Sequence, residues 1–309
     1  MIATFSHTDF DPLSALITRK EQLKETVSVV LPAYNEAPTI GPIVESISRL
    51  KESSGCIDEI IVMDDASDDA TASTARNAGA QVFQVGQVVP AVSVRGKGAA
   101  LWKSQFVATG SILVFVDADL LDFSDRLVTG PVGALLHDPA LQLVKASYRR
   151  PLGTGLSIAD DSGGRVTELL IRPLLNLFLP ELAGLHQPLA GEYAARSASL
   201  AQRPFYSGYG VETGLLLDYS LSGGIGTIGQ VDVGTRRHRN RTLPELSRMS
   251  FDIGRIFFEL LEQHGCCTTS RSGNTTMKVL DNGVLKDYKS SDVRLPPKTQ
   301  FTEVPVYGN

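Results

Sequence analysis

The chain alternates between short apolar runs and longer stretches of helical spacing, and polar residues collect where the runs end. Ile112-Leu113-Val114-Phe115-Val116, bounded by Gly110-Ser111, predicts a buried strand closed by Asp117-Ala118-Asp119. Val27 to Leu31 predicts a second strand that stops at Pro32, because proline cannot donate to a central ladder. Asn35 and Glu36 follow, and Pro38-Thr39-Ile40 opens an amphipathic stretch through Leu50. A third strand, Ile57 to Met63, ends in Asp64-Asp65-Ala66-Ser67-Asp68-Asp69 and runs into a helical segment from Ala70 to Asn77. Repetition of strand, polar cluster and helix predicts an α/β chain: a Rossmann-like, mostly parallel sheet flanked by helices, with ligand-binding groups at the strand carboxyl ends. Each cluster alone also fits helix capping, by Asn35 or by Ser67 with Asp68 and Asp69 in the first turn.

Further along, Gln142 to Ser147 predicts a strand that leaves through Tyr148-Arg149-Arg150-Pro151. Leu152 to Ser162, rich in Gly, Ser and Asp, predicts a flexible loop over the site. Gly163-Gly164-Arg165-Val166-Thr167-Glu168 opens an apolar helical run to Leu179, and Val211 to Leu221 is a further helix. Gly226 to Val233 predicts a strand leading into Arg236-Arg237-His238-Arg239-Asn240-Arg241, and Leu243 to Glu262 carries apolar residues at helical intervals. Asn282-Gly283 between short apolar runs is a hairpin signal, and the Pro-rich stretch from Leu295 reads as an irregular tail. Residues 1–26 are polar and charged from Thr18 to Thr26, predict one helix, and carry no motif.

Composition narrows the classes. At 309 residues, 42% hydrophobic and 20% charged, the chain has an ordinary globular make-up. A formal charge of −5 argues against a nucleic-acid partner. No apolar run approaches the ~20 residues of a membrane span, and the amino terminus lacks a secretory pattern. Cys56 and the adjacent pair Cys266-Cys267 make no disulfide framework, and no histidine spacing suggests zinc. The expected compartment is cytoplasmic.

The Asp-x-Asp carries the first chemical signal. Two carboxylates at the end of a buried strand are costly without a partner, and a divalent cation bound to a diphosphate supplies one. Hard oxygen ligands suit Mg²⁺ or Mn²⁺. Arg95-Gly96-Lys97-Gly98 superficially suggests a phosphate loop but lacks the P-loop spacing and its Lys-Ser/Thr ending. Four arginines within Arg236 to Arg241 fit a solvated basic face, yet in a chain of charge −5 they point instead to an anionic ligand.

SVVLPAYNE, MDDASDD, Gly96-Lys97-Gly98 and the Asp-x-Asp together resemble the glycosyltransferases of the GT-A fold. LVKASYRRPL, GGRVTELLIRPLL, QPLAGEY, GYGVETGLL and RRHRNRTLPELSRMS resemble, more narrowly, the retaining glucosyl- and mannosyl-3-phosphoglycerate synthases, over about Val27 to Gln263. The resemblance implies a nucleotide-sugar-binding half over 27–120 and an acceptor-binding, catalytic half over 121–265. An extension over 1–26 and a hairpin with tail over 266–309 flank them. It implies a metal-dependent hexosyl transfer from UDP-glucose to the 2-hydroxyl of 3-phosphoglycerate, in a homodimer. GDP-mannose is the alternative donor, because Asp65 stands where the glucosyl enzymes carry a serine. A non-catalytic nucleotide-sugar-binding protein is the alternative of a different class.

The implied roles are as follows. Pro32, Ala33, Tyr34, Asn35, Glu36 and Asp65 lie at the nucleoside; Lys97, Asp117, Ala118, Tyr209, Gly210, Val211, Glu212, Arg236 and Arg241 complete the donor site. Asp119 ligates Mg²⁺ or Mn²⁺ directly, with His238 as the third element, while Asp117 sits nearer the ribose or behind the ligand. Glu212 positions the donor sugar. Gly164, Arg165, Val166 and Thr167, with Asn240, bind the acceptor phosphate through free N–H groups, a guanidinium and a hydroxyl at a helix start. His137 and His186 fall in loops that match no motif.

Overall fold

The computed structural model describes residues 1–149, 164–236, 242–268 and 273–301. The predicted strands appear as β2 (Val27–Ala33), β3 (Glu59–Asp64) and β5 (Ile112–Phe115), preceded by β1 (Ala3–Ser6) and interleaved with β4 (Gln81–Gln84). β6 (Leu143–Arg149), β7 (Tyr193–Arg196) and β9 (Ile228–Thr235) complete an eight-stranded sheet in the order β1-β9-β6-β7-β5-β2-β3-β4. β7 runs antiparallel to both neighbours and the other pairings are parallel. The mostly parallel α/β architecture predicted from the pattern is therefore the one observed.

Registers place the three motifs on one edge. Ala33 pairs with Asp64, and Val30 with Phe115, so the segments after β2, β3 and β5 leave the sheet side by side. The β2–β5 pairing ends at Val30–Phe115, two residues before Pro32, so on that side the missing N–H has no ladder to break. β2 continues through Pro32 to Ala33, slightly beyond its predicted end.

Helices cover both faces. α1 (Leu13–Leu23), α2 (Ala37–Ser54), α3 (Thr71–Asn77) and α5 (Arg126–His137) bury Leu16, Ile43, Ala75 and Leu135 in one core cluster. α4 (Lys97–Ser104), α6 (Arg172–Phe178), α8 (Val211–Asp218) and α9 (Leu243–Gln263) bury Trp102, Leu175, Leu216 and Phe257 in the other; α7 (Ser197–Leu200) is a single turn. A π-helical turn, Thr167–Ile171, leads into α6.

The two chain ends differ from expectation. Residues 1–26 supply, besides the predicted helix, an edge strand: β1 pairs with β9 from Ala3–Gly229 to Ser6–Asp232. The Pro-rich stretch is docked rather than irregular. β12 (Arg294–Leu295) pairs with β8 (Phe205–Tyr206), the Trp102 indole donates to Pro296 O at 2.7 Å, and Phe301 stands edge-on to that indole. The hairpin is as predicted: β10 (Thr276–Asp281) and β11 (Val284–Lys289) join through Asn282 and Gly283 at φ 50° and 78°. Among the described residues no helix is long and apolar enough to cross a membrane.

Candidate active site

The loops after β2 and β3 hold each other. Asn35 N–H donates to Ser67 Oγ at 2.9 Å and Asp68 N–H to Asn35 Oδ1 at 2.9 Å. Ala37 N–H donates to Asp69 Oδ2 at 3.2 Å and Glu36 N–H to Thr71 Oγ1 at 2.8 Å. The expected capping is thus corrected: Asn35 and Ser67 do not cap their own helices, and the N–H groups of Glu36 and Ala37, where α2 begins, are satisfied from the β3–α3 segment. Asn35, at φ 56°, has its side chain committed to that lock.

Above these loops opens a cavity of about 360 Å³, lined by Pro32, Ala33, Tyr34, Glu36 and Asp65 on one side and Lys97, Asp117, Ala118 and Asp119 on the floor. Asn35 is absent from its lining, while Gly208 and Tyr209 form part of it. The Asp65 carboxylate, expected at the base, is already engaged: it accepts from Arg95 Nε at 3.1 Å and Gly96 N–H at 2.9 Å. The glycine after Lys97 has a steric cause. A Cβ on Gly98 would stand 1.8 Å from Tyr206 O, so the Lys97 turn lies flush on the β8 backbone.

The floor is an ionic network. Lys97 Nζ lies 2.7 Å from Asp117 Oδ1 and 2.7 Å from Glu212 Oε1. Arg236 Nη2 lies 3.2 Å from Asp117 Oδ2, 2.9 Å from Glu192 Oε1 and 3.7 Å from Asp119 Oδ1. Tyr148 OH donates to Glu192 Oε2 at 2.7 Å, and Lys145 Nζ sits 4.8 Å above the Tyr193 ring while donating to Ala190 O. Burial would raise the Asp117 carboxyl, but Lys97 and Arg236 overcome it and hold the group below its ordinary range. Burial raises Glu192, with Arg236 opposing, and lowers Lys145 to about 8. Lys97 and Arg236 go the other way: despite burial, their carboxylate partners keep both well above their usual values.

Glu192 Oε1, Glu212 Oε1 and Asp119 Oδ1 are all buried without a hydrogen bond. The first two meet a cation at 2.9 and 2.7 Å, whereas Asp119 has Arg236 only at 3.7 Å, and Asp119 lines the cavity. An unsatisfied carboxylate oxygen beside a second carboxylate fits a hard divalent cation. Among the described residues no three His, Cys, Asp or Glu side chains converge into a ready-made cation site. His238, with Asn240 and Arg241, lies outside the described residues, as does the loop predicted over 152–162.

A second cavity, about 570 Å³, is lined by Ser147, Tyr148 and Arg149 of β6, Glu168 and Arg172, and by His186, Gln187 and Asp232. The helical run beginning at Gly164 contributes Glu168 and Arg172, but Arg165 is exposed and outside this lining. Thr167 is buried, and the Val166 side chain belongs to the core, which leaves only its backbone for a ligand. His186, which matched no motif, lines the cavity. Tyr148 joins the two sites, lining the second cavity and accepting from Arg236 Nη1 at 2.7 Å.

Sequence reasoning missed Glu192 and Lys145. Signals existed: Lys145 interrupts an apolar strand, and Glu192 follows Gly191, where a Cβ would lie 2.4 Å from the Asp117 carboxylate. It also missed the far wall of the first cavity, formed by Asp252 of α9 and by Tyr288, Ser291 and Asp292 of the C-terminal segment.

Residues 28–152 match the profile of glycosyl transferase family 2. Glucosyl-3-phosphoglycerate synthase of Petrotoga mobilis is 41% identical over 264 residues, 85% of this chain and 81% of the relative. The Mycobacterium tuberculosis H37Rv protein of the same name is 48% identical over 232 residues, 74% of this chain and 71% of the relative. Among solved structures, mannosyl-3-phosphoglycerate synthase from Rubrobacter xylanophilus superposes with TM-score 0.89 at 37% identity, covering 96% of this chain and 97% of that one. The glucosyl enzyme from M. tuberculosis, in complex with Mn²⁺, UDP-glucose and phosphoglyceric acid, superposes with TM-score 0.84 at 39% identity, covering 97% and 98%.

Proposed function

The chain belongs to the glucosyl-3-phosphoglycerate synthase family, and from that membership we propose how its own residues divide the reaction. It is a GT-A glycosyltransferase that moves glucose from UDP-glucose to the 2-hydroxyl of 3-phosphoglycerate, with a requirement for Mg²⁺ or Mn²⁺. The observation that carries the assignment of roles is Asp119 Oδ1, buried without a hydrogen bond at a cavity floor shared with Lys97 and Asp117, behind which Glu212 pairs with Lys97 and Arg236 with Asp117.

The nucleoside lies against Pro32 to Tyr34 and Glu36, on the rim formed by the β2 and β3 loops. A divalent ion held by Asp119, with His238 as the resemblance implies, supplies positive charge opposite the leaving diphosphate. Lys97 and Arg236 stand ready to meet the same negative charge, and Asp117 holds both cations in place until the donor arrives. Glu212, 5% exposed at the start of α8, faces the donor sugar and fixes its hydroxyls. The second cavity takes 3-phosphoglycerate. Arg172, whose guanidinium is held by Glu168 and by Leu185 O and His186 O, lends positive charge to the wall. The N–H groups around Thr167 and exposed Arg165 supply anion binding, and Tyr148 brings the acceptor side to the donor network. A homodimer and a cytoplasmic location complete the reading.

The contact nearest the base fits the nucleotide of either donor. Asp65 is tied to Arg95, which leaves the guanidinium edge near the base pocket, and arginine suits the carbonyl of guanine as well as that of uracil. Product analysis with 3-phosphoglycerate and either UDP-glucose or GDP-mannose, each with and without divalent metal, tests the assignment. Glucosyl-3-phosphoglycerate formed only with metal and UDP-glucose is the expected result; faster turnover of GDP-mannose would reverse the donor, and metal-independent transfer would overturn the role of Asp119.

A further inference from the structure

The C-terminal segment does more than close the fold. The end of β11 and the segment after it reach the donor cavity, where Tyr288, Ser291 and Asp292 line the far wall. Asp292 accepts from Gly208 N–H at 2.8 Å, Ser207 Oγ at 3.1 Å and Gly210 N–H at 3.4 Å. Ser207 is bound to the strap on its other atoms too: its N–H donates to Val293 O at 2.9 Å, and its Oγ accepts from Val293 N–H at 3.0 Å. Arg255 of α9 anchors the strap from behind by donating to Asp292 O at 2.8 Å.

The loop gripped in this way, Ser207 to Gly210, adjoins both sides of the Lys97–Glu212 ion pair. It runs directly into α8, whose second residue is Glu212, and Ser207 O accepts from Ala99 N–H at 2.9 Å in the helix that begins at Lys97. Two glycine N–H groups that no helix or strand satisfies are thereby paired with a carboxylate, which stabilises the turn more than a neutral acceptor would. Burial raises Asp292, the three donors act against that shift, and the nearby Asp252 adds to it.

We propose that Asp292 is a positioning residue for the donor half of the site: it fixes the Ser207–Gly210 loop, and through it the placement of Glu212 and Lys97 around Asp117. This rests on the reading of the first cavity as the nucleotide-sugar site. The cavity assigned to 3-phosphoglycerate shares no lining residue with the first one, so the effect falls on one substrate only.

The test compares the full chain with Asp292→Asn, Arg255→Gln and, as a control on the hairpin, Asp287→Ala, whose ion pair with Lys278 is exposed. UDP affinity is measured by calorimetry with Mn²⁺ present, Michaelis constants are measured for each substrate, and a thermal melt confirms folding. Asp292→Asn should weaken UDP binding and raise the constant for UDP-glucose by about ten-fold, the size expected for loss of charge-assisted bonds. The constant for 3-phosphoglycerate should stay put, and Asp287→Ala should match the parent. Arg255→Gln should move the donor constants in the same direction by less, and it carries the test alone if Asp292→Asn does not fold. Donor constants unchanged in a folded variant, or equal losses for both substrates, overturn the proposal. A parent protein that neither binds UDP nor turns over overturns the donor-site reading beneath it.

Discussion

Arg236→Met is the perturbation whose size the structure defines best. The guanidinium is 4% exposed and Glu192 is fully buried, so neither charge can turn to water when the other is removed. At 2.9 Å and an effective dielectric near 20, the Glu192 contact alone corresponds to roughly 6 kcal/mol of attraction. Relief of the arginine's own desolvation offsets part of that, and breaking one side of a buried pair typically costs about 3–5 kcal/mol. We expect a loss in that range by urea unfolding at about pH 7, since methionine fills the volume but leaves Glu192 and Asp117 facing each other. The pH dependence has a definite sign. Burial already raises Glu192, and without Arg236 its folded value rises further above the unfolded one. A carboxyl shifted upward costs stability only where the unfolded chain has released its proton. The gap between variant and parent should therefore narrow as the pH falls toward the unfolded value of about 4.3. Adding Glu192→Gln should recover much of the loss at neutral pH. A single variant within about 1 kcal/mol of the parent, or a gap that widens in acid, would refute the reasoning.

Three further outcomes follow from the same network and its surroundings. Gly98→Ala forces a methyl onto Tyr206 O, so the helix of Lys97 must shift; a loss of about 1–3 kcal/mol with a sharp fall in turnover is expected, and an unperturbed variant would contradict the close approach. Lys145, lowered to about 8 by burial, loses its charge as the pH rises through that value, so transfer should decline on the alkaline side there. Lys145→Met should lack that inflection, and its survival would place the titration elsewhere. Asp119→Asn should weaken Mn²⁺ binding in the presence of UDP, read by calorimetry, and cut turnover by ~10²–10³-fold; unchanged metal affinity would exclude Asp119 as a ligand.

The near wall and floor of the first cavity were readable because their information is local. Ile112 to Val116 and Val27 to Leu31 advertise buried strands by composition, and parallel pairing then forces Pro32, Asp65 and Asp119 onto one edge. The π turn at Thr167 and the hairpin at Asn282 likewise lay within segments whose helical or turn character was legible. What escaped depends on contacts between distant segments. Asn35 looks like a cap until Asp68 is seen to donate to it, 33 positions away. Glu192 is one acid among many until Arg236, 44 positions on, is found against it. β1 is too short and too polar to declare itself, since an edge strand needs only one apolar side. Arg165 illustrates the converse: the helix start was placed correctly, but its side chain faces solvent rather than the lining of the second cavity.

The pairing of β1 with β9 also bears on how the chain is made. Thr4 lies opposite Gln230, a partner synthesised 226 residues later. At a translation rate of about 5–20 residues per second, β1 waits on the order of ten seconds or more for its place in the sheet, while β2 to β5 can already assemble behind it. During that interval the edge next to β6 lacks β9, and the two most widely separated segments of the sheet must find each other last. Slow closure of such a long loop is a kinetic burden that stability measurements do not register. A nascent chain stalled before Ile228 would present a β6 paired to β7 on one side and open on the other, together with a free β1, a state exposed to aggregation and to holding by chaperones.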